Sequence, residues 1–136
     1  MPIIDASVLA SYLVRDEFFD EAKKIFYTGE IIAPDLIIPE SMNVVWKHVY
    51  LYRRISIDEA VELIKIMKDI VGYIELINSI EVIDKALELA VELGITIYDS
   101  VYLATAIYRE DLLNTFDEKF KDKVMKSKYK GYIKTG

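Results

Sequence analysis

Short, mainly apolar runs alternate along this chain with longer stretches in which apolar residues recur every three or four positions. The runs are Pro2-Ile3-Ile4, Glu30-Ile31-Ile32-Ala33, Ile74 to Ile77, Ile95-Thr96-Ile97 and Leu112 to Phe116. Each is too short for a helix, and the first two are continuous rather than alternating in Ile3-Ile4 and Ile31-Ile32-Ala33. Strands covered on both faces read that way. Ala6 to Val14 and Asp16 to Tyr27 read as helices, and Pro34 stops the second strand. Pro39 sits where the first turn of a helix tolerates it, and that helix runs towards Arg53.

Helix signals continue downstream. Ser56 and Glu59 form a capping box, and Ile57, Ala60, Val61, Ile64, Met67 and Val71 mark one helical face behind it. Asn78 and Glu81 make a similar cap. Ile80, Ile83, Leu87, Ala90 and Val91 then predict a buried stripe, ended by Gly94. Asp99 to Arg109 is apolar nearly all round, as a buried helix is. A lysine-rich helix and tail follow Phe116. Strands alternating with helices predict an α/β domain, residues 1–136, with a parallel sheet between helix layers.

Composition narrows the chemistry. A hydrophobic content of 53% supports a real core. There is no cysteine, which removes disulfides, thiolate metal sites and cysteine nucleophiles. The single histidine, His48, excludes multi-histidine zinc sites. No apolar stretch is long enough for a membrane span, and the N-terminus has no signal-peptide pattern, so a cytoplasmic protein without membrane contact is expected. The net charge of −6 is not that of a typical nucleic-acid binder. The charge is uneven, however: seven lysines lie between Asp117 and Gly136. They read equally well as a basic edge beside an acidic site and as a solvated tail.

The acids are placed with more order than their number requires. Asp5 follows the first strand, Asp99 the Ile95–Ile97 run and Asp117 the last strand, while Glu40 lies just past the second. In a parallel sheet the carboxyl ends share one edge, where ligands bind. Four carboxylates from remote segments are therefore expected to converge. Like charges at close range raise each other's pKa and resist leaving water. No lysine or arginine lies within three residues of Asp5, Glu40 or Asp99, although Lys119 is near Asp117. Mg²⁺ or Mn²⁺ is the natural counter-ion for oxygen-only ligands. A helix cap is the plainer reading of each acid taken singly, most of all for Asp99 and Asp117. Glu40, set among Ile37, Ile38, Met42 and Val44, asks for a partner.

Four segments together resemble the PIN-domain family, in particular the stand-alone VapC-like ribonuclease toxins of toxin–antitoxin pairs. They are Ile3-Ile4-Asp5-Ala6-Ser7; Pro34-Asp35-Leu36 with Glu40 and Asn43; Ile97 to Ala106 around Asp99; and Asn114-Thr115-Phe116-Asp117-Glu118-Lys119-Phe120. Their order and spacing carry the resemblance across essentially the whole chain. It implies a three-layer α/β/α sandwich around a parallel sheet of about five strands. It also implies cleavage of RNA with Mg²⁺ or Mn²⁺ by Asp5, Glu40, Asp99 and Asp117, with Ser7 and Thr115 supporting the carboxylates through hydrogen bonds. A homodimer and an antitoxin partner are implied as well. Phe116 departs from the small residue common before the last aspartate of the motif.

Other residues read more plainly. His48 belongs to a surface or interface rather than to catalysis. Lys47, His48, Arg53 and Arg54 make a modest basic patch, Trp46 is a candidate dimer contact, and Tyr12, Tyr98 and Tyr102 sit at core spacings. Two other functions compete. An aspartate-nucleophile phosphatase wants a second aspartate two residues after the first, where this chain has Ser7. A non-catalytic PIN-like protein-binding module needs none of the four acids, yet all are present.

Overall fold

The computed structural model describes all 136 residues. The elements run β1 (Ile3–Ile4), α1 (Ala6–Val14), α2 (Phe19–Phe26), β2 (Ile31–Pro34), α3 (Ile37–Trp46), α4 (Ile57–Val71), β3 (Ile74–Ile77), α5 (Ile83–Leu93), α6 (Ile97–Arg109), β4 (Leu113–Asn114) and α7 (Glu118–Met125). A π-helical turn, Lys47–Leu51, extends α3, and 3₁₀ turns occupy Ser79–Glu81 and Lys130–Tyr132. No helix is long and apolar enough by itself to cross a membrane.

The strands form one parallel sheet in the order β3-β2-β1-β4. Ile3 pairs with Ile32 on one side and with Leu113 on the other. Ile3, Ile4, Ile32 and Leu113 are fully buried, because helices cover both faces. On one side α1 packs against α2, α3 and α4; on the other, α5 packs on α6, which lies against β1 and β2. The chain moves outward from β1 through β2 to β3, then returns to place β4 on the far side of β1. The winding therefore reverses between β1 and β4, where an α/β sheet opens a crevice at its carboxyl edge.

The sheet has four strands, not about five. Ile95–Ile97 is not a strand: Thr96 instead caps α6, its hydroxyl accepting from the Asp99 N–H at 3.1 Å. A polar hydroxyl at the mouth of a helix satisfies a donor that would otherwise be orphaned, and this outweighs the β-branched composition. The sheet's outer position beside β4 is taken only by a single parallel bridge, Leu113 to Ile133. Ile133 is 4% exposed, so the end of the lysine-rich segment is docked rather than loose.

Both capping boxes form. Glu59 N–H donates to the Ser56 hydroxyl while Ser56 N–H donates to Glu59, and Asn78 and Glu81 are joined similarly. Gly94 ends α5 at φ 66°, a conformation that costs glycine little. The stripe expected to be buried on the segment Ile80–Val91 is largely turned outward: Ile80, Leu87 and Val91 are exposed, and Ala86 and Leu89 fill the core instead. Small Ala86 permits close approach to α6, which the larger residues would prevent.

Candidate functional site

Asp5 closes β1 and caps α1 in one step. Its backbone is extended (φ −102°, ψ −179°), and its Oδ1 accepts from the N–H groups of Ser7 at 3.0 Å and Val8 at 3.4 Å. The Ser7 hydroxyl also donates to Oδ1, and accepts in turn from the Phe116 N–H at 2.8 Å. Thr115 Oγ1 lies 3.5 Å from Ser7 Oγ and accepts from the Asp117 N–H at 3.1 Å. Ser7 spends its one proton on Asp5, so the Thr115 proton is what remains for the Ser7–Asp5 pair. Two hydroxyls thus stitch the end of β1 to the end of β4, across the point where the winding reverses.

The other acids enter from helix N-termini. Asp117 is exposed and caps α7, accepting from Phe120 N–H at 3.1 Å. Asp99 sits in the first turn of α6, and Glu40 in the first turn of α3. Asp99 is therefore not itself a cap; Thr96 has that role. The partner that Glu40 required is Tyr102, whose hydroxyl donates to Oε1 at 2.7 Å. Tyr102 is 1% exposed, so it packs as its spacing predicts and holds Glu40 as well. One signal was available: residues 99 and 102 lie three apart and share a helix face.

The electrostatics link all four. Burial pushes the Asp5 carboxyl up to about 6, against the lowering effect of its Ser7, Thr115 and Val8 hydrogen bonds, and Glu40 adds repulsion. Asp99 is also raised to about 6, by desolvation first and then by Asp117 and Glu40. Glu40 is raised by desolvation and by Asp117, opposed by Tyr102. Tyr102 is pushed well above the ordinary phenol range by burial and by Glu40, so its hydroxyl keeps its proton and remains a donor. The four salt bridges of the protein include none of these acids, and Lys123, the cation that acts on Asp99, does so as the weakest contribution.

The gathering is loose. Asp99 and Asp117 line one cleft of about 250 Å³ together with Thr96, Lys119 and Lys123, while Glu40 lines a neighbouring one with Leu36, Asn43 and Tyr98. No three acids stand close enough to grip one ion as their side chains are arranged. The donor set nonetheless suits a hard divalent cation. It is all oxygen, it is partly desolvated, it repels itself, and no arginine or lysine pairs with it. His48 is not part of it: the ring packs edge-on against Tyr52, and the charges acting on it are those of Arg54 and Asp16.

A parallel sheet between helix layers, with acids collected at its carboxyl edge beside the reversal of winding, defines an α/β fold built to place a charged pocket. A family model for the PIN domain matches residues 3–124, and the chain belongs to the PIN-domain family. It is 29% identical over 124 residues to Ribonuclease VapC3 of Pyrobaculum aerophilum, covering 89% of this chain and 92% of that protein. The crystal structure of PAE2754 from Pyrobaculum aerophilum superposes with a TM-score of 0.66 at 24% identity, over 90% of this chain and 84% of that one. Mycobacterium tuberculosis VapC20, described as a sarcin–ricin-loop-cleaving toxin, superposes with a TM-score of 0.65 at 17% identity, over 90% and 94%. Both superpositions speak to the fold.

Proposed function

We infer that this chain is a single-domain, divalent-metal-dependent endoribonuclease, residues 1–136, that hydrolyses RNA phosphodiesters with Asp5, Glu40, Asp99 and Asp117. The observation that carries this reading is Asp5. A carboxylate 5% exposed, raised to about 6 and left without a lysine or arginine, makes physical sense beside a bound cation. Its position beside the PIN fold's crevice and the VapC3 resemblance supply the substrate class.

Mg²⁺ or Mn²⁺ held by these acids would supply charge neutralisation and Lewis acidity at the phosphodiester. The chain's own residues do the rest. Ser7 and Thr115 fix the rotamer of Asp5, and the Tyr102 hydroxyl fixes Glu40 while leaving its Oε2 free. Thr96 holds the first turn of α6 and so the position of Asp99. Helix N-termini behind Asp5, Asp99 and Asp117 offset part of their mutual repulsion. Orientation of this kind keeps the pocket assembled between turnovers.

In this reading the protein acts in the cytoplasm as the toxin of a toxin–antitoxin pair and works as a homodimer. Exposed Trp46, stacked on Tyr50, and exposed Leu87 and Val91 offer apolar surface for the two kinds of partner. The test is cleavage of single-stranded RNA with Mg²⁺ or Mn²⁺, with chelator, and with Asp5→Asn. Cleavage is expected only in the intact protein with metal, and Asp5→Asn should lower the rate by at least about 10²-fold. Unchanged cleavage by Asp5→Asn overturns the site; no cleavage under any metal overturns the activity.

A further inference from the structure

A second cleft adjoins the acid site. Its volume is about 430 Å³, within the range of small-ligand pockets, and its lining comes from α2, the end of β4, α7 and the last residues of the chain. One wall is aromatic: Phe18 and Phe116 stack with centroids 5.0 Å apart and planes 17° apart. Phe18 is held in place by its neighbours. The Ser11 hydroxyl donates to Asp16, and Asp16 accepts the Phe18 N–H at 2.9 Å, which fixes the turn between α1 and α2.

The other walls carry Lys24, Lys121 and Lys134, from three separate segments. None of the three belongs to a salt bridge. Lys134 is anchored through its backbone, its N–H donating to Leu113 O at 2.9 Å, so the basic tail meets this cleft by construction. Glu21, Glu118 and Gly136, the last residue, also line it, so the acids of the cleft match the lysines in number while none pairs with them in a salt bridge. The cleft shares its wall with the acid site. Thr115 lines it and holds the Asp117 N–H, and the Phe116 N–H donates to Ser7, which in turn holds Asp5.

Resting on the ribonuclease reading, we propose that this cleft binds the single-stranded RNA next to the bond being cut, with a base stacked on the Phe18–Phe116 wall and phosphates drawn to Lys24, Lys121 and Lys134. Unpaired cations around an aromatic wall are the arrangement that holds unpaired nucleotides with little sequence preference. Paired bases keep their faces inside the helix and offer nothing for the wall to stack on. Three lysines free of salt bridges give a protein of net charge −6 a local place to hold phosphates. The acids grip through metal, and the strand is gripped beside them.

The experiment measures binding of a fluorescent 12-nucleotide oligouridine to Asp5→Asn protein by anisotropy, across a salt series. Added Lys24→Gln, Lys121→Gln and Lys134→Gln should flatten the dependence of log affinity on log salt by about 2, since each phosphate contact on a single strand contributes about 0.7. Added Phe18→Ala should weaken binding about 5- to 150-fold with little change in that slope. A control with Lys65→Gln, Lys68→Gln and Lys85→Gln, on α4 and α5, should leave both unchanged. With Asp5 restored, the cleft lysine variant should raise KM for RNA cleavage and spare kcat. Equal effects from cleft and control lysines overturn the proposal, as does no effect of either, or no binding by the parent. Preferential binding of duplex RNA overturns it too. Binding that follows these expectations in a protein that cleaves no RNA supports the cleft while removing the nuclease reading.

Discussion

Replacing Asp5 by asparagine should stabilise the metal-free protein, against the usual consequence of losing a capping aspartate. Asparagine keeps an Oδ1 that can accept from Ser7 N–H, the Ser7 hydroxyl and Val8 N–H, so the cap survives. What disappears is a charge that burial disfavours. The carboxyl stands at about 6 in the fold against an ordinary value of 3.8. Between those values the folded chain holds a proton that the unfolded chain has released. Stability therefore falls as pH rises through that window and stays low above it. At about 1.36 kcal/mol per pKa unit, the loss is about 3 kcal/mol. A chain of 136 residues unfolds with an entropy near 0.29 kcal/mol/K, so the difference corresponds to about 10 °C in Tm. Asp99, raised in the same way, is present in both proteins and cancels from the comparison. The assay is calorimetric melting of wild type and Asp5→Asn in chelator, from pH 4 to pH 8. The curves should nearly meet at about pH 4 and separate by about 10 °C above about pH 7, with the variant higher. A variant that melts lower at pH 7.5, or by the same margin at every pH, refutes the argument that Asp5 is a buried charge awaiting a cation.

Three further outcomes follow from the same geometry. Mn²⁺ or Mg²⁺ at 100 times its dissociation constant should stabilise wild type by about 2.7 kcal/mol, read as a Tm shift reversed by chelator. That shift should grow as pH rises through about 6, because Asp5 and Asp99 must lose their protons to bind, and it should vanish in Asp5→Asn. Ser7→Ala removes the donor to Asp5 and orphans the Phe116 N–H, so denaturant unfolding should show a loss of about 1–3 kcal/mol, accompanied by weaker metal binding. Tyr102→Phe leaves the packing and deletes the bond to Glu40; kcat on RNA should fall with KM nearly unchanged, and the Glu40 carboxyl, observed by NMR titration, should titrate higher than in wild type.

Much of the site was legible because its parts are local. A strand, an aspartate and a small hydroxyl residue lie within five positions in Ile3-Ile4-Asp5-Ala6-Ser7, and backbone geometry over so short a span leaves few alternatives. The capping boxes at Ser56 and Asn78 and the glycine stop at Gly94 were legible for the same reason. Glu40 announced its need for a partner through its apolar neighbours, since an isolated acid in such company is costly.

The partner itself lay beyond the sequence. Tyr102 is 62 residues from Glu40, and only the packing of α6 against the sheet brings its hydroxyl within 2.7 Å. The same limit applies to the Ile95–Ile97 segment, where β-branched composition predicted a strand and the tertiary position of Thr96 at the start of α6 made a cap. Helical periodicity marked an apolar stripe at Ile80, Leu87 and Val91 but could not say which way α5 would roll. Sequence determined which residues carry charge, which stretches must be covered and where helices begin, because those follow from bonded neighbours. The tertiary structure alone decided which carboxylates share a crevice and which hydroxyls hold them, because those depend on a strand order, β3-β2-β1-β4, that sets Asp5 beside Thr115 across 110 residues of chain.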